Sequence, residues 1–363
     1  MLDHRFEEKE LDIKPILLGQ DFLSEEQARF FAGRLVHKGL SLEDICRSDI
    51  VALFDYDLTM ASKDNPKDVD DAPLKEKHFG ILCDVGAQIK HIIVQTARGD
   101  IAVLDYLRQK DFVRKFGFIP KLLLASNSGH KYRTDISDPK SEIKDIPIPG
   151  YENTYPPFGV VLGGIKSIMA DLKNEFPHVK VDERELCGAL TFNEFKTEEE
   201  VKAFFARANQ LRDQLGAKVA GKVYFSPYYK AIKDEAGNVV SYQGYLDVKP
   251  KGMDKGYTTE IILTKLGYVD KNSVLIVAGD SDSDYPMMKI AAKLVKEGKA
   301  RAVICIDVGG KMNDPDRLID IKLSPDKLPA GAPYTIFDQF YGLFKEIVLT
   351  CTPSRDCVAD PKF

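Results

Sequence analysis

The sequence predicts an α/β fold, a doubly wound parallel sheet interrupted by an inserted α+β module. Three observations predict it. Short apolar runs of strand length recur at Ile50–Phe54, Ile92–Gln95, Lys121–Ala125 and Val274–Ala278, each ending in a polar stretch. Helical patterns alternate with them in the first and last parts of the chain. From about residue 151 to 249 the alternation gives way to helix, strand, helix and then consecutive strands. At 363 residues the chain accommodates two domains of about 150 residues each.

In chain order, residues 1–47 read as a helical extension. Ser24 and Gln27 make a capping-box pattern, Phe30, Phe31, Leu35 and Val36 an apolar stripe, and Gly39 a stop. Residues 48–150 and 250–363 then form the α/β core. Ile50–Phe54 is a buried strand running into DYDLT, Ile92–Gln95 runs into TAR and a helix from about Asp100, and Lys121–Ala125 runs into SNSG. Lys140–Phe158, rich in Pro and Gly, reads as a linker into the insert, residues 151–249. There the pattern predicts a helix near Gly164–Phe176, a strand over Glu185–Phe192, and a helix opened by Thr197 and Glu200 and closed by Gly216. Strands follow over Lys218–Phe225, Tyr228–Lys233 and Val239–Val248, the last two joined by a turn at Ala236–Asn238. The core resumes with a helix from about Asp254 to Gly267, then Val274–Ala278 leading into GDSDSD, then a helix in which Asp284 can cap and Pro286 suits the first turn.

Composition narrows the function. Lys and Arg total 51 against 56 Asp and Glu, a net charge of −5, which leaves no sequence-independent attraction to nucleic acid or anionic membranes. Hydrophobic residues at 44% and charged residues at 29% suit a folded, water-soluble chain. No run approaches the ~20 apolar residues of a membrane span, and MLDHRFEEKELDIK lacks the apolar region of a secretory signal. The six cysteines are scattered, Cys351 and Cys357 forming the one close pair, and read as reduced thiols. The expected location is the cytoplasm, and the oligomeric state is not legible.

Chemistry concentrates at strand ends, where ligands bind in doubly wound sheets. Asp55 and Asp57 follow one apolar strand, and Asp280 and Asp284 another. Carboxylates gathered at one sheet end repel unless a cation sits among them. Oxygen donors without His or Cys favour Mg²⁺ over zinc. The competing reading is that these aspartates are helix caps and turn formers. Thr96 adds a hydroxyl after the second strand, and Lys255 a cation at a helix start. Such a set suits phosphoryl transfer.

The ordered set DYDLT (55–59), Thr96 in QTAR, Lys255 in DKG and GDSDSD (279–284) resembles the four motifs of the haloacid dehalogenase (HAD) superfamily of phosphohydrolases. The resemblance covers the α/β core and implies a Rossmann-like sheet. It further implies that Asp55 is the nucleophile forming an aspartyl-phosphate, that Asp57 is the general acid and then base, and that Thr96 and Lys255 hold phosphoryl oxygens. Asp280 and Asp284, with Asp55 and the Asp57 carbonyl, would hold Mg²⁺. The motif neighbours Tyr56, Thr59, Ala97, Arg98 and Ser281 are candidates for phosphate or substrate contact. The position of the insert resembles a C2-type cap of subtype B. LDVKPKGMDKG is most similar to trehalose-phosphatases, which implies a sugar contact at Asp247, and SNSG (126–129), with Asn127, resembles the segment near the sugar site. Leu58 stands where the family usually has Gly, Ser283 where many relatives have Asn, and the GDD form is absent.

The expected function is a Mg²⁺-dependent phosphatase of a small phosphorylated metabolite, a sugar phosphate above all. The alternatives are a phosphomutase or phosphotransferase of the same superfamily and a non-catalytic binding protein on the same scaffold. Cap residues expected to face the core are Arg184, Glu194, Lys196, Lys230 and Asp247, with hinges near Gly150 and Pro250.

Overall fold

The computed structural model describes residues 33–35, 38–39, 48–61, 73–138, 140–152, 154–234, 236–324, 328 and 335–349. Apart from residues 33–35, 38 and 39, the predicted N-terminal helix lies outside them, as do Cys351 and Cys357. The first strand, β1 (Asp49–Asp55), is followed by α1 (Glu76–Gly86), β2 (His91–Gln95), α2 (Asp100–Leu107), α3 (Lys110–Phe116) and β3 (Leu122–Ser126). Two short strands, β4 (Lys131–Arg133) and β5 (Lys144–Asp145), precede the insert. It comprises α4 (Phe158–Glu175), β6 (Lys180–Glu183), β7 (Gly188–Phe195), α5 (Glu198–Gln214), α6 (Ala217–Ala220), β8 (Val223–Lys233) and β9 (Val239–Pro250). The chain returns through α7 (Lys255–Glu260), extended by a wider turn over Ile261–Lys265. Then come β10 (Ser273–Gly279), α8 (Tyr285–Lys296), β11 (Ala302–Val308), β12 (Ile321–Leu323) and α9 (Ile336–Leu349).

Among the described residues the core sheet has the order β12-β11-β10-β1-β2-β3-β4-β5. The pairs from β12 to β3 are parallel, and β4 and β5 add antiparallel. Strands buried on both faces explain the unbroken apolar runs. Alternate residues still go to opposite layers. Ala52 and Phe54 of β1 join the core under α1 and α9, whereas Val51 and Leu53 join that under α7 and α8. Phe54 meets the rings of Phe340 and Phe344 edge-on at 5.1 and 4.8 Å.

The insert is a four-stranded antiparallel sheet, β6-β7-β9-β8, with α4 and α5 packed on one face. Leu246 and Val248 of β9 point into that packing, so Tyr245, Asp247 and Lys249 lie on the other, helix-free face. Thr197 closes the predicted capping box with Glu200. No helix among the described residues is long and apolar enough to cross a membrane.

Four expectations on elements need correction. The stretch 140–158 is not wholly linker, since Lys144 and Asp145 pair with Tyr132 and Lys131. The strand expected at Glu185–Phe192 runs over Gly188–Phe195, and β6 precedes it. Lys218–Phe225 opens as a helical turn, α6, before β8 begins. Tyr228–Lys233 is no separate strand but the continuation of β8. Pro227 sits within β8 opposite Leu246. The order explains it: β8 is an edge strand, where a residue without an N–H removes no ladder bond.

Candidate active site

The carboxyl ends of β1, β2 and β10 meet the N-terminus of α7, and their side chains form one buried cluster. β10 is hydrogen-bonded to β1 over Asp49–Phe54, which puts the DYDLT and GDSDSD ends side by side. Oxygens of Asp55, Asp280 and Asp284 all lie within 4.8 Å of one another. Lys255 Nζ donates to Asp55 Oδ1 and to Asp284 Oδ1, each at 2.5 Å. Asp55, Lys255 and Asp284 are buried, and Asp280 is half-buried.

The competing reading of Asp284 as a helix cap is decided by its side chain. It occupies the position before α8 but caps no helix N–H. Instead Oδ2 accepts from the backbone N–H groups of Asp280 and Ser281 at 3.2 Å and from Ser281 Oγ at 3.1 Å. Ser281 thus orients an acid of the cluster. Gly279 makes the turn fit, because a Cβ there would lie 2.3 Å from Asp284 Cβ. Asp254, by contrast, is a true cap, accepting from Gly256 N at 2.7 Å.

A network absent from the sequence reading fixes the lysine. Gln95 Nε2 donates to the Lys255 carbonyl at 3.0 Å and to Thr258 Oγ1 at 2.6 Å, while Thr259 Oγ1 donates to Gln95 Oε1 at 2.8 Å. The end of β2 is thereby tied to the first turn of α7. The signal in the sequence was a polar residue closing an otherwise apolar buried strand.

Thr96 follows β2 and is buried, and its Oγ1 accepts from Arg98 N at 3.1 Å. Asp57 stands apart from the three-acid cluster. Arg98 grips it, with Nε at 2.8 and 2.9 Å from its two oxygens and Nη2 at 2.6 Å from Oδ1. Tyr56 turns its ring into the core, stacked on Tyr106 at 6.2 Å, and acts electrostatically on Arg98. Thr59 Oγ1 and both amide atoms of Asn127 are buried without hydrogen-bond partners. Leu58 adopts φ +56°, the left-handed region where Gly is at ease, inside a turn closed by its N–H to Ala61 O.

From the insert, Arg184 donates to the Ala97 carbonyl at 3.2 Å and pairs with Asp182 at 2.6 Å. It also acts electrostatically on Arg98 and Asp247, and Asp247 feels Lys255. Arg184 and Asp247 therefore come to the core, whereas Glu194, Lys196 and Lys230 are exposed. Tyr245, which the sequence reading missed, stacks on Tyr228 at 5.3 Å and feels the charges of Asp280 and Asp284.

The electrostatics show a shortage of positive charge. Burial, and then Asp284, push the Asp55 carboxyl well above the usual range, and Lys255 opposes them. Burial and Asp284 push Asp280 up to about 8. Burial works against the Lys255 ammonium, but Asp284 and Asp55 outweigh it and hold it charged. Three carboxylates around one ammonium, with oxygen donors alone, fit a hard divalent cation such as Mg²⁺.

Residues 189–303 match the family model described as haloacid dehalogenase-like hydrolase. That segment holds Asp247, Lys255, Asp280 and Asp284. No curated protein matches the sequence. Among solved structures, the C-terminal domain of C. albicans trehalose-6-phosphate phosphatase aligns with TM-score 0.54 and 15% identity, covering 85% of this chain and 96% of that one. Aspergillus fumigatus trehalose-6-phosphate phosphatase aligns with TM-score 0.44 and 16% identity, covering 84% and 96%. A C-terminally truncated Plasmodium falciparum IMP-nucleotidase aligns with TM-score 0.43 and 10% identity, covering 88% and 76%. The first of these supports the fold, a parallel core sheet with an antiparallel insert.

Proposed function

We infer that this chain, a haloacid dehalogenase-like hydrolase, is a Mg²⁺-dependent phosphatase acting through an aspartyl-phosphate, with a sugar phosphate as substrate. The observation that carries the reading is the joining of Asp55, Asp280 and Asp284 in one cluster bridged by Lys255. A carboxylate nucleophile splits hydrolysis into two easier displacements.

Asp55, Asp280 and Asp284 would hold the ion, with the Asp57 carbonyl, and the ion would neutralise charge on the phosphoryl group. A free Asp55 oxygen attacks phosphorus, and the leaving oxygen takes a proton from Asp57. Water then attacks the aspartyl-phosphate and gives its proton back to Asp57. Arg98 holds both oxygens of Asp57 and so orients the group for these proton transfers. Lys255 and the Thr96 hydroxyl, fixed through Gln95 and the Arg98 amide, hold phosphoryl oxygens.

The sugar assignment is supported by the helix-free face of the insert. There Asp247 offers a carboxylate for hydroxyl groups, and Tyr228 and Tyr245 offer aromatic faces.

The test is turnover of p-nitrophenyl phosphate and a panel of sugar phosphates by the wild-type chain and Asp55→Asn. A loss of at least about a thousandfold is expected, as is loss on chelation with recovery on adding Mg²⁺. Unchanged turnover in Asp55→Asn would end the nucleophile assignment. Phosphate moved to a second sugar without release of free phosphate would make the chain a phosphotransferase.

A further inference from the structure

The turn that carries Asp57 is closed mainly by its own backbone. Tyr56 O accepts from the N–H groups of Met60 and Ala61 at 3.0 Å, and Leu58 N donates to Ala61 O at 3.0 Å. The Met60 carbonyl is instead taken by a distant side chain. The Tyr341 hydroxyl, on α9, donates to it at 3.0 Å across 281 residues of sequence. Met60 and Tyr341 are fully buried, so without the hydroxyl that carbonyl would have no solvent to turn to.

Tyr341 is itself held in place. Its ring stacks on the His78 ring at 4.2 Å. His78 Nε2 lies 2.7 Å from Asp338 Oδ1, and Lys77 Nζ pairs with the same oxygen at 2.5 Å. Lys77 and His78 belong to α1 and Asp338 to α9, so the two helices are fastened together around the tyrosine. Phe340 and Phe344 of α9 pack on Phe54, the residue before Asp55. The helix thus braces the last residues of β1 and the turn beyond them, whereas Arg98 grips the Asp57 side chain alone.

We propose that Tyr341 is a positioning residue: by holding the Met60 carbonyl it fixes the backbone from which Asp57 reaches the leaving oxygen. The inference rests on the acid–base role proposed above for Asp57. Tyr341 is buried and acts only through the turn.

The proton that Asp57 gives to the leaving oxygen as the P–O bond breaks matters most when the departing group is a strong base. Phenolate is such a group; p-nitrophenolate leaves without a proton. The test is therefore kcat/KM of the wild-type chain and Tyr341→Phe on phenyl phosphate and p-nitrophenyl phosphate with Mg²⁺. Phenyl phosphate should fall at least about tenfold and p-nitrophenyl phosphate less than about threefold. Ile347→Val, which loses a buried methyl from the same helix, should lower stability but keep the wild-type ratio between the two esters. Equal losses on both esters in Tyr341→Phe, no loss on either, or the same change of ratio in Ile347→Val overturns the proposal and leaves the Asp55 assignment standing. No hydrolysis of either ester by the wild-type chain overturns the reading of the site on which the inference rests. If Tyr341→Phe does not fold, deuterium exchange in the unmodified chain decides. The amides of Leu58, Met60 and Ala61 should be protected like those of β1, and exchange at the rate of an open chain overturns the proposal.

Discussion

Gly279→Ala is the sharpest test of how the acid cluster is built. The new Cβ would stand 2.3 Å from Asp284 Cβ, 2.8 Å from its Cγ and 2.9 Å from its Oδ2. Carbon atoms rest at about 3.5 Å or more, so Asp284 must retreat by roughly 1.2 Å or the turn must open. Asp284 is fully buried and holds Lys255, Asp280 N and Ser281 N, so the retreat pulls on the whole cluster. Overpacking of this kind costs about 1–3 kcal/mol of stability. A displacement of about 1 Å at reacting groups lowers turnover on the order of a hundredfold. Steady-state turnover of p-nitrophenyl phosphate with Mg²⁺, beside urea unfolding, measures both. Gly163→Ala is the control, because nothing lies within 4 Å of that helical position. It should gain about 0.5–1 kcal/mol with unchanged activity. Gly279→Ala within twofold of wild-type turnover and with an unshifted urea midpoint would refute the account.

Three further outcomes are expected. Leu58→Gly removes a non-glycine residue from φ +56° at a position 40% exposed, so relief of backbone strain outweighs the added freedom of the unfolded chain. The gain is about 0.5–1 kcal/mol, read from the urea midpoint. Burial pulls the Asp338 carboxyl upward, but hydrogen bonds from Lys77, Thr335 N and His78 overcome it and hold its pKa below the usual value. A depressed carboxylate adds stability above its unfolded pKa of about 4 and loses it as pH falls toward the native value. The stability gap between wild type and Asp338→Asn should therefore narrow as pH falls from about 4 toward 2; a gap that is constant across that range counts against the assignment. Arg184→Met removes the donor to the Ala97 carbonyl and a partner of Asp247, and kcat/KM should fall about tenfold, with part restored by Arg184→Lys.

The strand–loop units were legible because their signals are local. Ile50–Phe54 and Val274–Ala278 are unbroken apolar runs that end in aspartates, and a parallel strand buried on both faces has no other way to read. That Asp55 and Asp284 share one lysine is not local. It follows from β10 pairing beside β1, a contact across more than two hundred residues that nothing in either segment encodes. The continuity of β8 through Pro227 is not local either, because a proline there depends on which side of the strand has a neighbour. β11, β12, α1 and α9 went unplaced, and α9 proves to hold Phe340 and Phe344 against Phe54. Arg184 was expected to face the core, but its partner Ala97 was not legible, nor was what sets it apart from Glu194, Lys196 and Lys230, which are exposed. A charged residue on a cap reads as solvated until the cap is placed over the core.

The insert leaves and re-enters the core at a single point. A Cβ on Gly252 would lie 2.9 Å from the Pro149 carbonyl, Lys251 N donates to Lys222 O at 2.7 Å, and Lys222 Nζ donates to Gly150 O at 2.7 Å. A module whose two ends touch is a cassette. The gap from Pro149 to Gly252 is short enough for a brief bridge, so the insert and the sheet beneath it are joined through one narrow neck.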